Sequence, residues 1–293
     1  MKPEVLGPIL EVFDAPGGDT VDDKPEKITP ATVFQPGKPK KRALINRILD
    51  QLVLPGSGIT NIEAFEELYR LSQGGVPCLI LMEHYSNFDI PCLYYLLQKE
   101  RKPQIADHIT AMAGMKLNEE STFVNAFAEA YTRVVIYPSR SLAGITDPDE
   151  RKQQEARSRE INMAATRSMI RIKHEGEMIL VFPSGTRYRE GEPDTKRGVK
   201  EVDSYMKSFE YVVFVGIAGN VLRIHPTGDM ARDLATRDVV TLTVSDVVSC
   251  REFRDSAREN PCSDDLKQCV ADAVMERLEH LHEQAEAIRA KQL

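Results

Sequence analysis

From residue 77 onward, short runs of apolar, β-branched residues alternate with longer stretches of helical spacing. The runs Pro77 to Met82, Ile105 to Ala113, Arg133 to Tyr137, Glu177 to Phe182, Tyr211 to Ile217 and Val239 to Val247 have the length and composition of buried strands. Helical patterns run from Ala43 through Leu54, from Asn61 to Ser72 where Gly74-Gly75 closes the stretch, from Ile90 to Lys99, and from Glu155 to His174. At the end of the chain, residues 264–289 place Leu266, Val270, Val274, Leu278, Leu281 and Ile288 on one stripe of an amphipathic helix. This alternation predicts an α/β fold in which helices flank a mostly parallel central sheet.

Residues 1–42 break the pattern. They are rich in Pro, Gly, Asp and Lys, and they end in the basic run Lys38, Lys40, Lys41, Arg42. Ordering them would bury little apolar surface, so the sequence predicts a mobile N-terminal arm followed by a single α/β domain over 43–293. With 42% apolar and 28% charged residues, the chain can bury a sizeable core. A net charge of -7 argues against a nucleic-acid partner, which usually meets a basic face, and makes any anion site a local one. The longest apolar stretches, such as Tyr211 to Gly219, reach about half of the ~20 residues a membrane helix needs. The amino terminus, with one lysine and a short apolar patch before Glu11, does not read as a secretory signal, and a cytoplasmic location is expected. Five cysteines without a Cys-x-x-Cys pair predict reduced thiols and no structural metal.

Candidate chemistry begins at Glu83-His84-Tyr85-Ser86-Asn87-Phe88-Asp89, directly after the first apolar run. Ligand-facing loops of open α/β sheets sit at such strand ends. His84 and Asp89 are five residues apart and would point about 140° away from each other on one continuous helix. They can meet only across a turn. Pro91 favours that arrangement: a helix that starts at Asn87 or later keeps it among the first residues, whose amides have no helical partner. Asp89 then falls in the first turn, where it can take a proton from one imidazole nitrogen and leave the other as a base. Ser86 as an N-cap with Asp89 as its reciprocal partner is the simpler structural alternative.

A second cluster, Phe182-Pro183-Ser184-Gly185-Thr186-Arg187-Tyr188-Arg189, follows another buried-looking run and leads to Lys196, Arg197, Gly198 and Lys200. Guanidinium groups and a glycine turn suit a phosphate, through paired charge-assisted hydrogen bonds and close backbone approach. An ordinary solvated loop balanced by Glu190, Glu192 and Asp194 fits the same residues. Ser184 lacks the Gly-x-Ser-x-Gly setting of a nucleophilic serine.

Together, His84-x4-Asp89 and Phe182-Pro183-Ser184-Gly185-Thr186-Arg187 resemble the first and third motifs of the glycerolipid acyltransferases, commonly written Asn-His-x-Ser-x-x-Asp and Phe-Pro-Glu-Gly-Thr-Arg-Ser. Ser86, Gly185 and Thr186 match as residues that shape the site. Arg140 resembles the arginine of the second motif, and Val215-Gly216-Ile217 the fourth. Glu83, Ser184 and Gly216 depart from the usual Asn, Glu and Pro. The Pro-Ser-Gly turn with Arg187 and Arg189 is similar to the soluble plastid glycerol-3-phosphate acyltransferases.

The resemblance implies an enzyme that moves a fatty acyl group from acyl-CoA or acyl carrier protein to glycerol-3-phosphate, without metal or redox cofactor. His84 would act as general base, oriented by Asp89. Arg187 and Arg189 would hold the acceptor phosphate, with Arg140, Lys116 and Lys196 as further candidates. Acylation of 1-acylglycerol-3-phosphate (lysophosphatidic acid), a non-catalytic lipid-binding role and a Ser184 esterase are the alternatives. Lipid-like products and the basic run at Lys38 to Arg42 suggest peripheral contact with a membrane.

Overall fold

The computed structural model describes residues 4–5, 27–115, 127–138, 140–227, 232–259 and 261–293. Its strands are β1 (Glu4–Val5), β2 (Phe34–Gln35), β3 (Gly58–Thr60), β4 (Cys78–Met82), β5 (Ile109–Gly114), β6 (Arg133–Ile136), β7 (Met178–Val181), β8 (Tyr211–Ala218), β9 (Leu222–Arg223), β10 (Leu234–Ala235), β11 (Thr241–Val244) and β12 (Val248–Ser249). Its helices are α1 (Pro39–Leu52), α2 (Ile62–Gln73), α3 (Asp89–Lys99), α4 (Pro103–Asp107), α5 (Arg140–Ala143), α6 (Pro148–Ile172), α7 (Glu201–Lys207), α8 (Cys250–Glu259) and α9 (Leu266–Arg289).

The main sheet has the order β2-β6-β5-β7-β4-β8-β11-β3, and β12 also pairs with β8. From β6 to β8 every neighbouring pair is parallel, whereas β2, β11 and β12 join antiparallel to β6 and β8. A separate small sheet has the order β1-β10-β9. The protein is thus an α/β fold with a mostly parallel central sheet.

Strand β4 shows why this sequence settles here. All five of its residues are buried, and successive side chains of a strand point to opposite faces. Cys78, Ile80 and Met82 join a core that includes Ile48 of α1, Phe65 of α2 and Leu93 of α3. Leu79 and Leu81 join a second core with Ile161 of α6, Val202 of α7 and Val274 of α9. Helices therefore cover both faces, as the continuous apolar character of the central strands requires. Each such side chain contributes roughly 1.5–3 kcal/mol relative to exposure.

Three expectations need correction. The strand expected over Ile105 to Ala113 begins at Ile109, because Pro103 opens the short helix α4, which buries Ile105 and Ala106. His108 consequently caps that helix and does not lie inside a strand. The helix expected from Ala43 starts at Pro39, a first-turn proline that costs no helical hydrogen bond.

The basic run is consequently part of the packed structure. Glu129 accepts from Lys38 Nζ at 3.0 Å and also pairs with Lys41, and Arg42 pairs with Asp107 at 2.9 Å. These two carboxylates of the same chain offset part of the charge that the sequence offered to a membrane. Residues 1–3 and 6–26 of the expected mobile arm lie outside the described residues. Among the described residues no helix is long and apolar enough to cross a membrane.

Candidate active site

The register of the sheet brings the two sequence clusters together. Strands β4 and β7 are parallel neighbours with Leu81 opposite Val181, so His84 and Phe182 leave the sheet side by side at its carboxyl edge. Their rings stack, with centroids 3.8 Å apart and planes 9° from parallel. The Tyr188 amide donates to the His84 carbonyl oxygen at 2.7 Å and ties the second loop to the first.

Helix α3 has Phe88 as its N-cap and begins at Asp89, so Pro91 falls in the first turn. His84 Nδ1 lies 2.8 Å from Asp89 Oδ2. The same oxygen accepts the Tyr85 amide at 2.7 Å and the Ser86 amide at 2.9 Å, while Oδ1 accepts from Ser86 Oγ at 3.2 Å. Ser86 Oγ in turn accepts the Phe88 amide at 2.9 Å. One buried carboxylate thus binds the turn at Ser86 and pairs with His84 at once, and because the N-cap is Phe88, Ser86 is not the N-cap of the simpler alternative. The imidazole is only partly buried, with 17% of its side-chain surface exposed. Because Nδ1 faces a carboxylate, it carries the hydrogen, and Nε2 is left as the proton acceptor.

A shallow, open cleft lies against His84 and is lined also by Glu83, Tyr85, Ser184, Tyr188 and Lys196. The turn beneath it needs Gly185, whose φ of +64° is costly for residues with a Cβ. Ser184 is buried, and its hydroxyl donates to the Thr186 carbonyl at 2.7 Å, so its proton is directed to a backbone oxygen and not to a base.

The expected cations are placed differently from one another. Arg187 is buried, with Nη1 2.6 Å from Asp233 Oδ2, instead of presenting its guanidinium to solvent. Arg189 is exposed and lies 3.4 Å from Glu192. Lys196 reaches the cleft, paired with Glu279 and 5.5 Å above the Tyr188 ring. Arg140 opens α5 after β6, but its side chain, like the whole of Lys116, falls outside the described residues. Among the described residues no cluster of three His, Cys, Asp or Glu could hold a metal ion.

Sequence reasoning gave no role to Asp233 or to His282. His282 Nδ1 lies 3.1 Å from Glu83 Oε2, and Tyr85 donates its hydroxyl to Glu83 Oε1 at 3.1 Å. A signal was present, since His282 shares the inward stripe of α9 with Leu278, Leu281 and Ala285. Glu83 and Gly216, two positions where the sequence departs from the motif pattern, both meet α9.

A histidine paired with a buried carboxylate, at the carboxyl edge of a parallel sheet and beside an open cleft, has the arrangement that a general base needs. Residues 58–207, slightly more than half of the chain, match the family model described as Acyltransferase. The chain belongs to the acyltransferase family. No curated protein matches it. Among solved structures it is similar to the 1-acyl-sn-glycerophosphate (LPA) acyltransferase PlsC from Thermotoga maritima, at 17% identity over 82% of this chain and 80% of that one, with a TM-score of 0.38.

Proposed function

We propose that the protein is a glycerolipid acyltransferase that moves a fatty acyl group from an acyl thioester, acyl-CoA or acyl carrier protein, to a hydroxyl of glycerol-3-phosphate. The observation that carries this reading is the 2.8 Å contact between His84 Nδ1 and Asp89 Oδ2 at the mouth of the cleft. Nε2 of His84 takes the proton of the acceptor hydroxyl as its oxygen attacks the thioester carbonyl. The new C–O bond forms, the C–S bond breaks, and the imidazolium returns its proton to the departing thiolate. Asp89 holds the tautomer and offsets the transient positive charge, as the carboxylate of a serine-protease triad does.

Lys196 is the cation of the cleft itself, and in this proposal it takes the leading part in holding the acceptor phosphate. Arg189 extends the same loop toward solvent. Arg187 contributes from behind, with Asp233 fixing its orientation. Glycerol-3-phosphate is preferred to lysophosphatidic acid because the Pro-Ser-Gly turn with its two arginines resembles the soluble glycerol-3-phosphate enzymes. A lipid product also calls for contact with a membrane surface, to which the charge left over on the Lys38 to Arg42 run can contribute. The test is turnover of labelled acyl-CoA and acyl carrier protein with glycerol-3-phosphate, lysophosphatidic acid and water in parallel. Preferential acylation of glycerol-3-phosphate is expected; acylation of lysophosphatidic acid alone would change the acceptor, and hydrolysis alone would make the protein an esterase.

A further inference from the structure

We propose that His282, on the C-terminal helix and outside the segment that matches the acyltransferase family, is a positioning residue that holds His84 in place through Glu83. The inference rests on the acyl-transfer reading of the same site.

Helix α9 lies directly on β8 at Gly216. A Cβ at that position would come within 2.6 Å of the His282 amide nitrogen and 2.6 Å of the Leu281 carbonyl carbon, so only glycine lets the two backbones approach this closely. The approach carries the His282 ring to the end of β4. Its Nδ1 is 2.8 Å from the Ile217 carbonyl oxygen and 3.1 Å from Glu83 Oε2. A third neighbour, the Tyr85 hydroxyl at 3.3 Å, can donate or accept, but the two nearer ones are acceptors only, so Nδ1 carries the hydrogen and donates to them.

Glu83 is 3% exposed, and a buried carboxylate must be met by donors. Its Oε2 accepts from His282 and from the Ile217 amide at 3.0 Å, and its Oε1 accepts from the Tyr85 hydroxyl at 3.1 Å. Glu83 and Tyr85 are the residues on either side of His84. One carboxylate therefore pins both flanks of the general base, while the Tyr85 amide also donates to Asp89. Burial opposes a charge on His282, yet the hydrogen bond and negative charge of Glu83 outweigh it and raise the imidazole pKa, against a smaller opposing effect of Lys196.

Without His282 the Glu83 carboxylate loses a donor, and the 83–85 peptide is free to shift. Catalysis is sensitive to such movement, since a misplacement of about 1 Å can cost on the order of a hundredfold. His282 itself does not line the cleft, whereas Glu83 and Tyr85 do, so the loss should fall mainly on kcat and only slightly on KM.

The experiment measures steady-state kinetics and thermal melting of the full chain and of H282L, H282N and Y85F, with H84A as reference. Asparagine keeps an N–H where Nδ1–H stood, leucine does not. A kcat lowered about tenfold in H282L, with both KM values within about twofold, and recovery in H282N to within about threefold of wild type are expected. A wild-type kcat in folded H282L, equal impairment of H282L and H282N, or a raised KM with kcat retained would each overturn the proposal. If H282L fails to fold, Y85F decides, because it removes the hydroxyl that meets both Glu83 and His282: a lowered kcat supports the proposal and an unchanged one overturns it. Activity retained in H84A would instead remove His84 as the base, and with it the site reading on which this inference rests. If the wild type transfers no acyl group, the His84 Nδ1–H resonance in the NMR spectrum still decides: it should shift in H282L and return in H282N, and an identical resonance in all three overturns the inference.

Discussion

Arg187 Nη1 lies 2.6 Å from Asp233 Oδ2, and the two side chains are 8% and 0% exposed. Asp233 Oδ1 also accepts the His225 amide at 3.0 Å, so the carboxylate is bound on both sides. Lys196, by contrast, is about one-third exposed at the cleft. Two cations of one sequence cluster therefore have different tasks, and their variants should separate.

Removing Arg187 leaves the buried Asp233 without its counter-charge. Arg187→Ala should lower stability by about 3–5 kcal/mol, read from the urea midpoint. Lys196→Ala should change stability by no more than about 0.5 kcal/mol. It should raise the acceptor KM about tenfold, by loss of a charge-assisted hydrogen bond, and leave the donor KM unchanged. A wild-type acceptor KM in Lys196→Ala would move the phosphate site elsewhere.

Glu129 gives a pH-dependent test of the packed basic run. Burial alone would raise its pKa, but hydrogen bonds from Lys41 and Lys38 outweigh it, so the carboxyl titrates below its ordinary 4.5. A carboxylate whose folded pKa is depressed contributes stability above its unfolded pKa and loses it as pH falls through the folded value. Glu129→Gln should thus be less stable than the wild type at neutral pH, with the gap closing as pH drops below 4.5. Urea midpoints measured from neutral to acid pH check this; a gap that is constant with pH would contradict it.

Cysteine chemistry offers a rival, covalent route that the structure disfavours. Burial pushes the Cys78 and Cys250 thiols up to about 12, and it raises Cys92, with the Asp89 charge adding to the effect. The thiolate is the reactive form, so all three should resist alkylation. Cys262 is the exposed cysteine, and although its hydrogen bond to Cys269 holds its thiol above the ordinary range, access should make it the first to react with iodoacetamide in the native protein. Acyl transfer should survive that treatment, and peptide mapping identifies the modified residue. Loss of activity on modification of Cys92 would point to an acyl-cysteine intermediate.

The central strands were legible because a strand buried on both faces is a continuous apolar run, as in Cys78–Met82 and Met178–Val181. The meeting of His84 and Asp89 was legible from Pro91, which restricts where α3 can begin. Partners distant in sequence were not. Asp233 is 46 residues from Arg187, and His282 is 199 from Glu83, so only the strand order and the seat of α9 on Gly216 bring them together. For the same reason the Lys38 to Arg42 run read as an arm: its acidic partners, Glu129 and Asp107, belong to other segments. Pro103 misled in a local way, because the apolar residues after it fit a strand as well as one turn of helix.

The most direct test of the central claim is the rate of acyl transfer from labelled acyl thioester to glycerol-3-phosphate by the wild type and by folded His84→Ala. Turnover by the wild type and a loss of about a hundredfold or more in the variant are expected, in line with the contribution of a general base. Equal rates in the two proteins, with His84→Ala melting as the wild type does, would contradict the assignment of His84 as the base that drives the transfer.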